Sequence, residues 1–496
     1  MRLQDQQNNS VSSGIRWSAI GEYSTQGITF VVYIVLARLL TPRDFGLLAM
    51  AMVFIGITEI FSRLGTNTIV IQQKKISNDL LSTLFFLNLM TGVLVGGLLL
   101  IVSPLLGRIV QNSDVIPILR VLALTFVITS ISSVHEGLLR RNLQFKRIAT
   151  IQLSLAITKG VVAITLALLA WQVWALVFAV VVDSVLRTIF LFIATGWMPA
   201  LKVKWSEIQR VKSMMLQITG FGVFNSFANR ASNLIIGRFL GATPLGYFSL
   251  AYKLYTLPNQ YVSHVVGRVL LSKLSAVQDN NYVFRQTYLR ACAGVAMFTF
   301  PLSIGLAVIA KPFVLTLYGA KWSAAIPVIT VLSFVASIHS IAVLTGNIFI
   351  AKGRTGIWLI WGIVAGGISA LSVFLGLPWG LFGVSVAFGI GTLFLVYGSL
   401  VLSFRLIHLH LYELFSVVKP FAVATLLMAL GTLGIRSLLD YFVVPQITVL
   451  GVCIAVSIAI YGLVMIIARP TAFSDFLELL PHLHNRRYRP HGSASK

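Results

Sequence analysis

The chain has 496 residues, of which 57% are hydrophobic and only 10% are charged, and its mean hydropathy is +0.89. Soluble globular chains are about a quarter charged, so this composition excludes a soluble domain and predicts an integral membrane protein. The formal net charge of +24 does not indicate nucleic-acid binding, because most cations lie in short loops between apolar runs and no RNA-binding motif is present. Two isolated cysteines, Cys292 and Cys453, exclude a disulfide framework and a cysteine metal site.

The apolar runs predict about fourteen membrane-spanning helices. The first follows a short polar segment, residues 1–16, and lacks a small-residue cleavage site, so we interpret it as a span and not as a signal peptide. In chain order the predicted spans are 15–37, 45–62, 80–104, 115–138, 148–170, 172–195, 214–236, 246–267, 290–310, 324–350, 356–376, 380–403, 420–439 and 446–468. The predicted fold class is therefore an all-α integral membrane protein.

The loops between these spans carry unequal positive charge. If the N-terminus is cytoplasmic, 26 Lys and Arg side chains lie on the cytoplasmic side and 7 on the far side. Cytoplasmic loops of membrane proteins carry such an excess. We therefore predict that both termini are cytoplasmic, which agrees with an even number of spans.

Two stretches of the chain occur twice. Residues 37–51 (ARLLTPRDFGLLAMA) return at 237–251 (GRFLGATPLGYFSLA) with an offset of 200, and residues 116–131 return at 326–341 with an offset of 210. The equivalent positions include Arg38 and Arg238, and Gly46 and Gly246. Chance similarity between leucine-rich helices is the alternative, but apolar bias alone does not place Arg, Gly and Pro at fixed spacing. Duplicated helical units with a substrate site between them are common in membrane transporters.

The repeats divide the chain into two pseudo-symmetric six-helix lobes. Residues 1–200 form the predicted N-terminal lobe with spans 1–6, and residues 201–405 form the C-terminal lobe with spans 7–12. Spans 13 and 14, within residues 406–470, have no partner copy. Residues 471–496 are predicted to be a basic cytoplasmic tail, for which attraction to anionic lipid headgroups and binding of a partner are both open.

Several short motifs resemble those of a known family. They are Trp17-Ser18, Leu36–Pro42, Asp44-Phe45-Gly46 and Ile71–Lys74 in the first half, and Tyr318-Gly319, Lys321-Trp322 and Pro327 in the second. These residues resemble bacterial polysaccharide transporters, the Wzx-type exporters of lipopolysaccharide, capsule and exopolysaccharide repeat units, and are closest to the colanic-acid-exporter branch. The resemblance covers most of the chain and thins after about residue 405. Many relatives carry an acid where this chain has Arg43, so no function is assigned to that position.

The resemblance implies a fold and an activity. The family belongs to the MOP superfamily, with multidrug exporters and the peptidoglycan-precursor flippase, so we expect two lobes that form a V around a central cavity and open alternately to each membrane face. The implied substrate is an undecaprenyl-pyrophosphate-linked oligosaccharide in the bacterial inner membrane. The implied partners are this substrate, the bilayer, and the polysaccharide polymerase and chain-length machinery. We expect no cofactor. Because no nucleotide-binding motif is present, the driving force must come from an ion such as H⁺ or Na⁺, from the membrane potential or from substrate gradients.

Ionisable residues inside spans are the candidates for function, because each costs about 3 kcal/mol at a helix centre. The predicted substrate-binding residues, for the pyrophosphate and the cavity, are Arg230, Lys253, Asn229, Asn233 and Arg63. The predicted ion-coupling residues are Glu22, Glu59 and Asp183. The predicted gate residues are Arg38 and Arg238. No metal ligands and no catalytic residues are predicted.

These assignments depend on the chemistry of the implied diphosphate, which is strongly hydrated. Arg and Lys around a wet cavity replace that hydration, and Arg offers bidentate contacts to phosphate oxygens. Spans 1, 2, 7 and 8 line the cavity in the superfamily, which favours Arg230 and Lys253.

Structural roles stay open for some of these residues. Glu59 with Arg63, and Asp183 with Arg187, are spaced as i,i+4 ion pairs. The two gate arginines are equally consistent with anchoring at the membrane interface.

Two other functions compete with a lipid-linked oligosaccharide flippase. A multidrug exporter of the same superfamily should line its cavity with acids and aromatic residues, whereas the intramembrane charge here is mostly positive. A membrane polymerase or ligase should carry a sizeable outer loop with catalytic residues, whereas all outer loops here are short. Neither a Ser/His/Asp pattern nor a P-loop is present, so we predict that the chain is not an enzyme.

Overall fold

The computed structural model describes residues 2–73, 75–470 and 473, with the side chains of residues 2–16, 18–20, 224–225 and 228–229 left aside. Throughout these described residues the regular structure is helical, and no strand occurs among them. The α-helices are α1 (Arg2–Leu39), α2 (Pro42–Arg63), α3 (Thr66–Gln72), α4 (Asn78–Ile109), α5 (Val115–Arg141), α6 (Phe145–Leu168), α7 (Val173–Thr195), α8 (Trp205–Leu240), α9 (Ala242–Pro258), α10 (His264–Ala276), α11 (Asn281–Val308), α12 (Ala310–Leu317), α13 (Ile326–Ala342), α14 (Thr345–Ala351), α15 (Thr355–Gly376), α16 (Gly380–Ile407), α17 (Leu411–Tyr441) and α18 (Gln446–Ala468). A π-helical turn, Asn259–Ser263, joins α9 to α10, and the 3₁₀ turns Ala320–Ala325 and Leu377–Trp379 precede α13 and α16.

All fourteen predicted spans coincide with helical segments. Within the described residues, ten helical stretches are long and apolar enough to cross a membrane, and one of them, Thr355–Ile407, contains two predicted spans. The spans predicted in α1, in α8 and across α9–α10 are helical but are not among the ten. Polar residues interrupt the apolar runs of α1 and α8, and a π-helical turn divides the third. The all-α membrane fold class is confirmed.

The corner between α1 and α2 is defined by local chemistry. Thr41 has an extended backbone and caps α2 by accepting a hydrogen bond from the amide of Asp44, while the Asp44 carboxylate accepts one from the Thr41 amide at 2.8 Å. Pro42 occupies the first helical turn, where its missing N–H costs nothing. This capping box fixes where α2 begins.

The chain packs into two compact units. The first consists of the described part of Met1–Ser249, Leu317–Trp322 and Gly362–Val384. In its interior α4 packs on α5, α1 on α6, and α2 on α5 and α8. The second consists of Leu250–Thr316, Ser323–Trp361 and the described part of Ser385–Lys496.

The core of the second unit is formed where α11 packs against α13 and α17. Its largest buried side chains include Tyr288, Phe284 and Phe421.

Outside the membrane-spanning helices, the first unit also contains an ordered linker between α7 and α8. The backbone amides of Ala200 and Lys204 donate to Ser82 Oγ at 3.0 Å and Thr83 Oγ1 at 3.1 Å. The Lys204 ammonium donates to the Asp79 carboxylate, and this hydrogen bond raises the pKa of Lys204.

The lobe boundaries predicted at residues 200, 405 and 470 stay predictions. The tail predicted for residues 471–496 lies outside the described residues apart from Phe473.

Candidate translocation site

The two copies of the repeated corner contact each other reciprocally in the first unit. A Cβ atom added to Gly46 would lie 1.7 Å from the carbonyl oxygen of Ala242, and one added to Gly246 would lie 1.9 Å from the carbonyl oxygen of Pro42. These four positions are equivalent in pairs at the offset of 200, so the contact obeys the internal symmetry. Only glycine permits this backbone approach. The repeated glycine, noticed in the sequence as a matched residue, marks the place where the copies meet.

The contact continues along α2 and α8 as an antiparallel seam. A Cβ atom added to Gly222 would lie 2.9 Å from Ile60, and one added to Gly65, at the end of α2, would lie 2.7 Å from Ile218. Ser226 donates a hydrogen bond from its hydroxyl to the carbonyl oxygen of Gly56 at 2.9 Å. Small residues therefore recur where the two helices are closest, as expected for close helix packing in a membrane.

Arg230 lies within this seam and is half-buried. Its Nη1 donates to the carbonyl oxygen of Met52 at 2.8 Å, and its Nε donates to Ser226 Oγ at 3.2 Å. The guanidinium covers Gly56, where an added Cβ atom would lie 2.0 Å from Cζ. The absence of a side chain at Gly56 makes room for the guanidinium. Sequence reasoning selected Arg230 but missed Gly56 and Ser226, because isolated glycines and serines are common in apolar helices and give no signal of their own.

A second charged group lies further along α2. Glu59 and Arg63 form an ion pair at 2.6 Å, with about 38% of the Glu59 side chain and 37% of the Arg63 side chain exposed. Gly56, Glu59 and Arg63 are spaced by three and four residues, so they share one face of α2. With Arg230, the seam therefore contains two cations and one carboxylate and has an excess positive charge.

An apolar groove of about 490 Å³ lies along the same two helices. It is lined by Ile57, Phe61, Leu216, Thr219, Gly220, Val223 and Phe227. The first unit therefore places a cationic cluster and an apolar groove on one pair of helices.

The other predicted binding residues are placed as follows. Asn233 is half-buried on α8, one turn beyond Arg230, whereas the side chain of Asn229 lies outside the described part of the chain. Lys253 is half-buried on α9 in the second unit, and its carbonyl oxygen accepts a hydrogen bond from Thr256 Oγ1 at 2.9 Å. The structure thus brings Arg230 and Arg63 onto one seam and places Lys253 in the other unit.

The remaining predicted coupling residues lie on other helices of the first unit. Glu22 is exposed on α1. Asp183 forms the i,i+4 ion pair with Arg187 on α7 at 3.2 Å, and the Asp183 side chain is 18% exposed. Of the three predicted carboxylates, Glu59 is the one that lies on the seam.

The two predicted gate arginines have different surroundings although they are equivalent in the repeat. Arg38 donates from Nε to the carbonyl oxygen of Leu317 at 2.8 Å, and its own carbonyl oxygen accepts from Lys321 Nζ at 2.7 Å. Arg238 is half-buried, and its guanidinium lies 6.0 Å from the centre of the Phe239 ring.

Several of the motifs that suggested a family converge around Trp322, which is fully buried. Its indole Nε1 donates to the carbonyl oxygen of Ala37 at 2.8 Å. Its ring contacts Phe45 edge to face at 5.3 Å between centroids, and Tyr247 at 6.0 Å. Residues from both halves of the sequence therefore brace the α1–α2 corner.

The second unit contains a buried polar cluster that sequence reasoning missed. In the π-helical turn, Asn259 Nδ2 lies 3.0 Å from His339 Nδ1. The Tyr255 ring stacks on His339 at 5.5 Å. The pair Pro258-Asn259 inside predicted span 8 was the available signal, since proline and polar residues interrupt membrane helices at specific sites.

Comparison with solved structures identifies the class of protein. The fold is similar to that of the lipid II flippase MurJ in an inward closed conformation, with a TM-score of 0.77 and 14% identity over 91% of this chain and 98% of that one. The chain is therefore a multi-pass membrane protein with the MOP fold, which confirms the fold implied by the sequence motifs.

Residues 35–327 match the family model described as polysaccharide biosynthesis protein, and the chain belongs to this family. It is 28% identical over 348 residues to the lipopolysaccharide biosynthesis protein WzxC of Escherichia coli (strain K12), and this match covers 70% of each chain. It is 27% identical over 480 residues to the teichuronic acid biosynthesis protein TuaB of Bacillus subtilis (strain 168), covering 94% of this chain and 97% of that one. The resemblance inferred from the motifs is confirmed.

Proposed function

We propose that this protein is a flippase that translocates a polyprenyl-pyrophosphate-linked oligosaccharide repeat unit across the bacterial inner membrane by alternating access. The translocated unit would serve lipopolysaccharide, capsule or exopolysaccharide synthesis. The observation that carries the proposal is the family match over residues 35–327, supported by relatives named for two different polysaccharides and by the fold of a lipid II flippase.

Arg230 supplies the chemistry that this substrate needs. A diphosphate loses its hydration inside the membrane unless charged donors replace water. While the α2–α8 seam is closed, Met52 and Ser226 occupy donors of the Arg230 guanidinium. We propose that opening of the seam exchanges the Met52 carbonyl for a phosphate oxygen. Arg63, Lys253, Asn229 and Asn233 remain the proposed additional contacts to the pyrophosphate and the sugars.

We propose that a carboxylate couples transport to its energy source. Glu22, Glu59 and Asp183 are the proposed carriers of a coupling H⁺ or Na⁺, and Glu59 is favoured because it shares a face of α2 with the contact to Arg230. Neutralising Glu59 would remove the carboxylate that pairs with Arg63 and interacts with Arg230, leaving Glu136 beside Arg63, and this changes the electrostatic attraction for a diphosphate. We propose no cofactor and no enzymatic activity.

The excess of Lys and Arg in alternate loops supports an inner-membrane orientation with both termini in the cytoplasm. In this orientation Arg38 and Arg238 lie at the outer ends of α1 and α8, where we propose that they act at the outer gate. The polysaccharide polymerase and the chain-length machinery are the proposed partners on that side.

A bacterial strain tests the function directly. The strain lacks this gene and keeps the glycosyltransferases that build the repeat unit, and its spheroplasts are treated with an impermeant glycosidase before lipid extraction. We expect intact lipid-linked repeat units, protected on the cytoplasmic face, and we expect this chain alone to make them accessible. If the repeat units of the deletion strain are already accessible and remain unpolymerised, the flippase proposal is wrong and a polymerase role replaces it.

A further inference from the structure

A pocket of about 460 Å³ with both apolar and polar lining residues lies in the first unit, away from the α2–α8 seam. It is formed where the α1–α2, α4–α5 and α6–α7 connections meet, and its lining includes Arg43, Asp114, Gln172 and Trp174. Because successive spans alternate in direction, these three connections share one side of the membrane. In the proposed orientation that side is the outer one. The volume is within the roughly 300–1,000 Å³ typical of small-molecule sites.

Two charged groups of this pocket pair with each other, whereas the Asp44 carboxylate caps α2. Arg43 Nη2 donates to Asp114 Oδ2 at 2.6 Å, and the two side chains remain 61% and 50% exposed. An exposed ion pair of this kind contributes little to stability. Its function in the fold is therefore minor, while it presents a planar donor group and a planar acceptor group in fixed relative positions.

Gln172 adds an unusual backbone to this set. Its φ of 49° and ψ of −132° lie in a backbone region that residues other than glycine rarely adopt. The strained residue places an amide, which both donates and accepts hydrogen bonds, at the pocket. Two residues later, Trp174 is half-buried, and its ring lies 5.9 Å from that of Phe178. An aromatic ring held in this way is a rigid apolar surface with low entropy cost on binding.

The charge of the lining selects among ligands. Arg43 is the cation of the lining, Asp44 and Asp114 are its carboxylates, and Lys321 interacts electrostatically with Asp44, so the two carboxylates are matched by two cations. With no excess positive charge the pocket does not attract a phosphate, in contrast to the cationic seam around Arg230. A neutral sugar fits, because its hydroxyl groups match alternating donors and acceptors and its C–H face packs on an aromatic ring.

We propose that this pocket is a carbohydrate subsite on the outer side, which receives a neutral sugar ring of the repeat unit after the pyrophosphate has crossed. The proposal rests on the proposed function and assigns the two chemical parts of the substrate to different places. Arg43, Asp114 and Gln172 bind hydroxyl groups, and Trp174 packs on the sugar face.

Purified full-length protein in detergent tests the subsite without transport. The probe is the repeat-unit oligosaccharide hydrolysed from the host's own polysaccharide, which carries neither lipid nor phosphate, and binding is measured by saturation-transfer NMR and by titration. We expect saturable binding by the wild type and affinity reduced about tenfold or more in Trp174→Ala and in Gln172→Gly. Glycine adopts the backbone of residue 172 without strain, so Gln172→Gly should unfold no earlier than the wild type.

The matched control is Trp171→Ala, since Trp171 is exposed and lies three residues away without lining the pocket. It should bind the probe with wild-type affinity. Equal affinity in the wild type, Trp174→Ala and Gln172→Gly overturns the subsite, as does the lack of saturable binding by a wild type that restores export. If the pocket binds an organic cation such as tetraphenylphosphonium and does not bind the sugar probe, the carbohydrate subsite is overturned in favour of a cation site. Failure of the wild type to expose lipid-linked repeat units contradicts the proposed function instead.

Discussion

The two copies of the repeated corner are alike in backbone contact and unlike in side-chain surroundings. Gly46 and Gly246 make the same approach to the backbone of the opposite copy. Arg38 and Arg238, eight residues before them, differ: Arg38 is bonded to the carbonyl oxygen of Leu317, whereas Arg238 lies over the ring of Phe239. The repeated small residues therefore fix how the copies meet, and the residues that differ between copies give each corner its own neighbours.

The largest expected effect comes from filling either glycine contact. Gly46→Ala and Gly246→Ala each place a Cβ atom well inside the van der Waals contact distance of a carbonyl oxygen. Overpacking of this kind costs about 1–3 kcal/mol or more. We expect both variants to lose export and to unfold at lower temperature, and we expect the two losses to be similar. Complementation of the deletion strain and thermal unfolding in detergent measure these effects.

The control for this pair is Gly97→Ala in α4, where an added Cβ atom has open space. It should export and unfold like the wild type. If one of the two corner variants is tolerated and the other is not, the reciprocal contact is not what closes the seam.

The next effect concerns the asymmetric residue within the seam. Arg230→Ala removes the donors to Met52 and Ser226 and the positive charge. We expect export to fall at least tenfold while the protein is still expressed, because each lost charged hydrogen bond is worth about 1.5–3 kcal/mol. Lys159→Ala is the matched control, since Lys159 is exposed on α6. Full export by Arg230→Ala would remove the phosphate contact from the account.

Gly56→Ala tests whether the position of the Arg230 guanidinium matters, without removing its charge. The added Cβ atom would lie 2.0 Å from Arg230 Cζ, so the guanidinium must leave its present place without losing its charge. If the closed position of Arg230 matters only for packing, we expect thermal stability to fall and export to persist. If this position is part of the transport cycle, export should fall as well. Export of the radiolabelled repeat unit from cells measures this effect.

A smaller effect is expected at the brace around the first corner. Trp322→Phe removes the hydrogen bond to the carbonyl oxygen of Ala37 and leaves the ring contacts. The free energy of unfolding should fall by about 1–3 kcal/mol, the usual cost of an unsatisfied buried acceptor. Trp379→Phe, at an exposed tryptophan of the same unit, should have no measurable effect. Unchanged stability in Trp322→Phe would show that the corner does not need this bond.

The smallest effect on stability is expected at Glu59. The half-exposed pair with Arg63 contributes no more than about 0.5 kcal/mol, so Glu59→Gln should unfold like the wild type. We expect its transport in proteoliposomes to become independent of an imposed H⁺ or Na⁺ gradient, whichever drives the wild type, whereas Asp183→Asn should keep the wild-type dependence. The reverse result would assign the coupling ion to α7.

Sequence reasoning reached the all-α membrane class and the internal repeat because apolar runs of membrane length and the offset of 200 are both readable without tertiary information, whereas the MOP fold was implied by the family resemblance of the motifs. It selected Arg230 for the same reason, since a cation in an apolar run is conspicuous. It did not find Gly56 or Ser226, because their importance depends on which helix packs against them. The π-helical turn at Asn259 was missed because one extra residue per turn leaves the apolar pattern almost unchanged.

The central claim is that this chain alone moves a lipid-linked oligosaccharide across a bilayer. Purified protein is reconstituted into liposomes containing the tritiated lipid-linked repeat unit, and an impermeant glycosidase is added outside. We predict that nearly all of the labelled glycan is cleaved in vesicles with the wild type, and that about half is cleaved in empty vesicles and in vesicles with Gly46→Ala. Cleavage limited to the outer half in the presence of the folded wild type, with and without an imposed H⁺ or Na⁺ gradient, would contradict the account.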